Sequence, residues 1–342
     1  MSQTGVLPFV RGIDFTKYDF NETLKHPRLL SEMQRLRWLR ANHTGMSTLP
    51  DELSTLTKLE QLHVTHNGLT SLSDELLNLN CLRVLNARYN KIKSQNVPAD
   101  LSKLEDLAVL DLSFNDLNEV PNNLEEVKSI LVLNLGHNAI TSIPNHLFVN
   151  LTDLIYLDLS SNKLEMLPPQ LRRLVHLKTL ILNDNPLLHA QLRQLLALNS
   201  LEKLHLKNTQ RTLSNIPQGL ENLPGLVELD LSCNDLPIIP DTIYKIKTLR
   251  RLNFSQNSLT EVSNHIGDLD ELITLNLSRN KLLSLPNALT KLSKLRKLYV
   301  NSNYLSFVGI PAGIGKLHEL EVFSASDNRL EVLPEGLCRC GT

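Results

Sequence analysis

The residues able to do chemistry fall into three groupings, and none completes a reactive set. His63 and His66 stand in an HxxH spacing that could offer two imidazoles to a divalent metal. No carboxylate or third histidine completes a tetrahedral ligand set, and the two side chains belong to different faces of their segment. From Gly309 to Leu317 the chain reads GIPAGIGKL, which is faintly like a phosphate-binding loop. Five residues rather than four separate Gly309 from Gly315, and Leu317 stands where the hydroxyl for magnesium is required. Serine, histidine and aspartate are plentiful, but they are scattered, with no nucleophile elbow to activate a hydroxyl. The expectation is a protein that is not an enzyme and takes no cofactor and no metal.

Composition narrows the remaining classes. Of 342 residues 76 are leucine and 15 aromatic, so the core must be built of aliphatic layers. Thirty-five Lys and Arg against 36 Asp and Glu leave a formal charge of −1, too little to draw nucleic acid or an anionic bilayer to the chain as a whole. No apolar stretch approaches the length of a membrane span, and Val6 to Val10, interrupted by Pro8, is too short for a secretory leader. Cys81, Cys233, Cys338 and Cys340 form no CxxC pair, which fits reduced thiols. The expected location is the cytoplasm or the nucleus. A secreted, receptor-like protein would need Cys338 and Cys340 paired.

Positioning elements follow from an internal repeat. The block LAVLDLSFNDL places Leu107, Leu110, Leu112, Asn115 and Leu117 in the order L-x-x-L-x-L-x-x-N-x-L. The ninth position of this frame recurs at Thr44, Asn67, Asn90, Asn115, Asn138, Asn162, Asn185, Thr209, Asn234, Asn257, Asn280, Asn303 and Asn328, at spacings of 23 to 25 residues. A degenerate unit precedes them, with Val10, Ile13, Phe15 and Phe20, and Tyr18 at the ninth position. The fold class this predicts is α/β: a leucine-rich repeat solenoid, or horseshoe, with a parallel β-sheet on the concave face and short helices or 3₁₀ turns on the convex face. Leucines at positions 1, 4, 6 and 11 point into a shared core, because a single coil cannot bury its own apolar edge. The ninth-position amides form a structural ladder between coils rather than ligand sites.

Most units continue Leu-Pro-x-x-Leu-x-x-Leu, as in LPDELSTL from Leu49, where proline suits the start of a short turn. Pro98, Pro217 and Pro311 come two residues late, which predicts bulges in those three coils. PLLHAQLRQLLAL from Pro186 has helical leucine spacing and predicts a longer convex helix over roughly 190–198. The whole chain is read as a single repeat domain, residues 1–342: a cap-like coil over 1–35, then about thirteen repeats over 36–342 without a C-terminal cap. That ending suggests a short isoform, an incomplete gene model or a fragment.

In each strand positions 3, 5 and 7 face the concave side by the period of two. They carry Trp38, Arg40, His63 and Arg88, then Asp111, Tyr156 and Asp158 among Val109, Val132 and Ile181, then Lys203, His205, Lys207, Glu228, Asp230, Arg251, Lys297 and Tyr299. Patches of both signs beside apolar and aromatic side chains suit protein recognition. Trp38 is either an anchor for a partner or packing against the first coil.

The unit L-x-x-L-x-L-x-x-N-x-L-x-x-L-P resembles the Ras-group intracellular leucine-rich repeats. Longer stretches are more specific: GVLPFVRGIDF from Gly5, the block from Leu151 to Leu195, NTQRTLSNIP from Asn208, LDLSCNDL from Leu229, LSKLRKLYVNSN from Leu292 and LPEGLCRC from Leu333. These resemble the repeat region of the Flightless family of the gelsolin superfamily, over essentially the whole chain. The resemblance implies a non-catalytic module that recruits protein partners, Ras-like small GTPases and coiled-coil proteins among them, for a regulator of the actin cytoskeleton. Actin binding in that family resides in gelsolin-like segments absent from this chain. The alternative is an autonomous scaffold of small-GTPase signalling, similar to the Ras-suppressor type.

Overall fold

The computed structural model describes residues 6–19, 28–188, 190, 192–332 and 335–339, with only the backbone of Arg28, Cys338 and Arg339. Phe20, Leu333 and the pairing of Cys338 with Cys340 lie outside the described residues. The chain divides into two compact units, Met1–Leu177 and Lys178–Thr342.

In unit 1 seven three-residue strands succeed one another: β1 Gly12–Asp14, β2 Trp38–Arg40, β3 Gln61–His63, β4 Val84–Asn86, β5 Val109–Asp111, β6 Val132–Asn134 and β7 Tyr156–Asp158. Each pairs in parallel with the next, so Leu39, Leu62, Leu85, Leu110, Leu133 and Leu157 lie in one row across the sheet. Unit 2 repeats the arrangement with β8 Thr179–Ile181, β9 Lys203–His205, β10 Glu228–Asp230, β11 Arg251–Asn253, β12 Thr274–Asn276, β13 Lys297–Tyr299 and β14 Val322–Ser324. Its central row runs Leu180, Leu204, Leu229, Leu252, Leu275, Leu298 and Phe323. From β2 to β13 the central residue of a strand is buried while its neighbours stay more exposed, the alternation the pleat imposes.

The polypeptide returns from strand to strand through short 3₁₀ turns. Asp51–Thr55, Pro169–Arg173 and Asn287–Lys291 each follow a proline in extended conformation. Among the described residues the one α-helix is the four-residue Leu147–Asn150. The late prolines are accommodated by extra turns, such as Ser94–Asn96 and Phe307–Gly309. The expected longer helix over 190–198 is not formed. Leu192 takes a left-handed backbone, φ 51°, and the next five residues, Arg193–Ala197, form an ordinary 3₁₀ turn. Leu192, Leu195 and Leu198 are fully buried even so, because a 3₁₀ turn with i to i+3 spacing puts leucines on one side as a helix would.

The ninth-position residues tie the coils together as expected. Asn115 is representative: Nδ2 donates to the carbonyls of Leu112 in its own coil and Ala87 in the preceding one, at 3.0 and 3.1 Å, and Oδ1 accepts the Ile92 N–H at 2.9 Å. Asn67, Asn90, Asn138 and Asn162 repeat this in unit 1. Asn234, Asn257, Asn280, Asn303 and Asn328 do so in unit 2, where Asn185 Nδ2 also bonds the carbonyl of Leu182. Thr44 and Thr209 supply less: the Thr44 hydroxyl lies 2.9 Å from Asn67 Oδ1 of the next coil, the Thr209 hydroxyl donates to Leu206 in its own coil at 2.7 Å, and each backbone N–H reaches the next ladder residue. Each ladder amide thereby satisfies backbone groups that would otherwise be buried without partners.

Candidate functional site

The outer face of the unit 1 sheet starts with Trp38. Its indole lies flat on Gly12 of β1, so close that a Cβ on Gly12 would fall 1.9 Å from Cε2. The Arg40 guanidinium covers the same ring, Cζ 5.4 Å from its centroid, and reaches Asp14 at 4.0 Å. Trp38 is therefore packed against the first coil, while still 38% exposed. His63 follows on β3, half-buried; burial first and the Arg40 charge second hold its imidazole below the ordinary range, with Asp14 opposing.

Beyond His63, the third position of the repeat frame, the first residue of each strand, becomes an apolar stripe. Val84, Val109, Val132 and Tyr156 are in register across four adjacent strands, with Leu131 and Ile155 exposed beside them. Fifth-position carboxylates border it. Asp111 Oδ1 accepts from the Ser113 N–H and hydroxyl at 3.0 and 2.6 Å, and Asp158 is fixed in the same way by Ser160. Part of each predicted recognition charge thus serves a local turn. Burial pushes the Tyr156 hydroxyl up to about 12, reinforced by the charges of Asp158 and Asp111.

On unit 2 the face is more highly charged. His205 Nε2 lies 2.9 Å from Glu228 Oε1, and Arg251 Nη1 lies 3.1 Å from Glu228 Oε2, a chain of charge over β9, β10 and β11. Burial acts to raise the Glu228 carboxyl; the His205 hydrogen bond and charge, with Arg251, overcome this and leave it below the usual range. Asp230 takes the Ser232 N–H and hydroxyl on Oδ1 and the Asn253 amide on Oδ2, and so is held on both oxygens. Lys203 sits opposite Glu228 in the strand register, Lys297 opposite Thr274, and Tyr299 opposite Asn276. Lys207 follows β9 and reaches the Cys233 thiol electrostatically; that thiol is nonetheless pushed up, chiefly by burial. Among the described residues no three of His, Cys, Asp and Glu gather as a metal would require.

Two features escape the repeat pattern. The first lies at position 8, just before the ladder residue, where every regular coil has a left-handed backbone with φ between 49 and 58° although the residue is never glycine. An N–H to C=O bond from this residue to the next coil holds it there, as from Tyr89 to Ser113 and from Phe114 to Gly136, at 3.1 and 3.0 Å. In unit 1 this fixed backbone aligns His43, His66, Tyr89, Phe114 and His137 into a continuous stack, centroids 4.2, 4.2, 4.0 and 3.8 Å apart. Burial, then the charges of His43 and Arg88, lower His66. A run of aromatic types one residue ahead of each ladder position was the available signal.

The second is Arg211, which occupies position 11, where other coils place leucine, isoleucine or methionine. It is wholly buried, and its guanidinium donates to the carbonyls of Thr209, Ala190 and Asn215 at 2.9 to 3.3 Å. Burial lowers it to about 10.

Comparison with known proteins agrees with this architecture. Leucine-rich repeat models match residues 128–187 and 237–331. Among curated proteins, the "Protein flightless-1 homolog" of Homo sapiens is 58% identical over 95% of this chain, that of Danio rerio 61% over 96%, and that of Caenorhabditis elegans 47% over 96%. The chain spans about a quarter of each, 26% of their length. Solved structures similar to it include a leucine-rich repeat protein of Leptospira interrogans, with TM-score 0.82, 28% identity, and coverage of 92% of this chain and 79% of that one. An internalin from Listeria monocytogenes gives TM-score 0.76, 25% identity, and coverage of 91% and 86%. The ladder, the leucine rows and these likenesses together show a leucine-rich repeat solenoid that is similar to the repeat region of the flightless-1 homologues.

Proposed function

We propose that the outer face of the strands binds protein partners, and that the chain is the recruiting part of a regulator of the actin cytoskeleton working in the cytoplasm. One observation carries this reading: half-exposed Val84, Val109, Val132 and Tyr156 lie side by side in the strand register, on a face that also carries charges of both signs, Arg40 and Arg88 with Asp111 and Asp158. Apolar area supplies contact energy and fixed charges set orientation, the division of labour found in interfaces. Trp38, His63, Lys203, His205, Lys207, Glu228, Asp230, Arg251, Lys297 and Tyr299 extend the candidate surface within their own units. Partners of the kind the family resemblance implies, Ras-like GTPases and coiled-coil proteins, present charged helical or loop surfaces that such a face can meet. Actin itself is left to segments outside this chain.

The test is a paired capture from cytoplasmic lysate. One bait carries Val109→Lys, Val132→Glu and Lys203→Glu on the strand face; the other carries Arg172→Glu, Lys245→Glu and Lys291→Glu on the turn side. Partners lost from the first bait and kept by the second are the expected result. The reverse pattern overturns the proposal.

A further inference from the structure

Among the described residues Arg88 and Gln170 each hold a buried polar side-chain atom with no hydrogen-bond partner, and Arg88 is the charged one of the two. It follows β4 and is half-buried, and its Nε is buried with no hydrogen-bond acceptor. Among the described residues its guanidinium makes no ion pair with any carboxylate. A guanidinium has five N–H donors, and a buried polar group without a partner is costly enough to need an explanation. The ring stack does not supply one. Cζ lies 4.8 Å from the Tyr89 centroid and 5.4 Å from that of Phe114. The two faces of each ring are already covered by its neighbours in the stack. Arg88 thus runs along the seam between the rings, near their positive edges, where cation–π attraction is weak. What the stack does provide is rigidity: it braces the guanidinium before any ligand arrives.

Among the described residues neither Asp111 nor Asp158 forms an ion pair with it, and one oxygen of each is bound locally. Asp111 Oδ1 is committed to Ser113, and Asp158 Oδ1 to Ser160. On the other side stand Arg40, His63, His66 and His43, where Arg40 meets Asp14 at 4.0 Å in an exposed pair. Both His63 and His66 are lowered, by burial first and by cationic neighbours second, with Asp14 opposing at His63. Alongside lies the apolar stripe of Val84, Val109 and Val132, about 10 Å across three strands at the usual spacing.

We propose that Arg88 is a preformed receptor for a side-chain carboxylate, taken from an acidic and aliphatic segment of a protein partner whose apolar side chains rest on Val84, Val109 and Val132. The inference rests on the reading of the strand face as the binding surface and names the chemistry of what binds there. Guanidinium and carboxylate match in a planar, two-bond pairing, and the pair gains strength from being formed over a half-buried, apolar bed. Proton linkage adds a second property. A bound carboxylate beside His63 and His66 favours their charged forms, so complex formation takes up protons and tightens as the pH falls from 7.5 to 6.

The experiment uses the full chain, labelled with ¹⁵N, and two synthetic peptides, Ac-Leu-Glu-Leu-Glu-Leu-NH₂ and its Gln-for-Glu counterpart, with inorganic phosphate as a third probe. The Glu peptide is expected to shift the Arg88 Nε–Hε signal together with the amides of Val84 and Val109. Arg88→Gln should weaken its binding at least tenfold, and Arg88→Lys should fall between, because it keeps the charge and loses the planar fork. An amide spectrum unchanged away from the site shows that both variants fold. Equal binding of the Gln peptide, undiminished binding by Arg88→Gln, or the same Arg88 shift with phosphate alone overturns the proposal. If the Glu peptide fails to bind while partner capture still depends on Val109 and Val132, this assignment falls and the wider reading stands. Capture indifferent to the strand face removes the wider reading itself.

Discussion

In residues 1–177 the position before the ladder residue carries His43, His66, Tyr89, Phe114 and His137, then Ser161; in residues 178–342 it carries Asp184, Asn208, Cys233, Gln256, Arg279, Ser302 and Asp327. The backbone is the same in both, left-handed with φ between 49 and 58°. In unit 1 the five rings stack, whereas in unit 2 the side chains bond in pairs: Asn208 to Asp184 at 2.9 Å, the Cys233 thiol to Gln256 at 2.8 Å, Ser302 to Asp327 at 3.3 Å. One rigid conformation therefore supports two chemistries, an aromatic rail and a polar one. Backbone spacing makes either possible, because parallel coils about 4.8 Å apart bring equivalent side chains within contact at every step.

The units differ also in what fills position 11, and the largest predicted effect tests that. Arg211→Ala leaves the carbonyls of Thr209, Ala190 and Asn215 without their donors and opens a cavity, and should cost about 3–5 kcal/mol. Arg211→Leu restores the residue typical of the repeat and fills the space, yet should still cost about 1–3 kcal/mol for the abandoned carbonyls. Urea unfolding measures both. A wild-type midpoint for Arg211→Leu would mean that the guanidinium adds nothing that leucine does not. Next come Asn115→Ala and Asn280→Ala, one in each unit. They remove equivalent bonds, so each should cost about 2 kcal/mol. A clear inequality would show that the ring stack shares the ladder's work in unit 1.

Legibility in the sequence divides along the same line. Leucine rows and the asparagine ladder repeat because each coil must bury its apolar edge and pair its backbone, so a period of 23 to 25 residues in one sequence is enough to place them. Arg211 and position 8 do not announce themselves in that way. Position 8 tolerates many residue types, and the stack emerges only once coils with aromatic residues are set side by side. Arg211 breaks the repeat, and a charged residue at an apolar position reads as an exposed exception until three carbonyls are seen to surround it. The helix expected over 190–198 failed for a related reason: leucines spaced three and four apart satisfy a buried 3₁₀ turn as well as an α-helix, and the left-handed Leu192 decides between them. On the strand face Asp111, Asp158 and Asp230 are where the period of two puts them, but their bonds to serines two residues on are visible in the three-dimensional structure alone.

Glycine substitutions at position 8 sharpen the comparison at smaller amplitude. Phe114→Gly relieves a left-handed backbone strain of about 1 kcal/mol but loses two stacked neighbours worth about 0.5–1.5 kcal/mol each, and it frees the unfolded chain as well. A net loss of about 1 kcal/mol is expected. Arg279→Gly meets the same region, φ 56°, with an exposed side chain and no ring neighbour, so relief should equal or exceed the entropic cost, and stability should stay level or rise by up to about 0.5 kcal/mol. Opposite signs in the two units are the outcome that supports a stabilising stack. Two losses of equal size would mean that the rings contribute no more than any side chain would.

The smallest effect is pH dependence, and its sign is fixed by the histidines. His63 and His66 are both lowered in the folded state, so the unfolded chain binds protons more readily. Their contribution is therefore fully present above the ordinary histidine value of about 6.5 and is lost as the pH falls below it. Glu228 in unit 2 is also lowered, and what it adds persists above the ordinary glutamate range and is lost only at more acid pH. Between pH 7.5 and 5.5, then, amide protection corrected for intrinsic exchange should fall around β3 and the ring stack while holding around β9 to β11. His66 is largely exposed, so solvent screens its share and the change it brings is small. His66→Phe keeps the stack and removes the charge, and should flatten part of the unit 1 response. If that variant loses protection on acidification as steeply as the wild type, the response belongs to His63 and the stack takes no part in it.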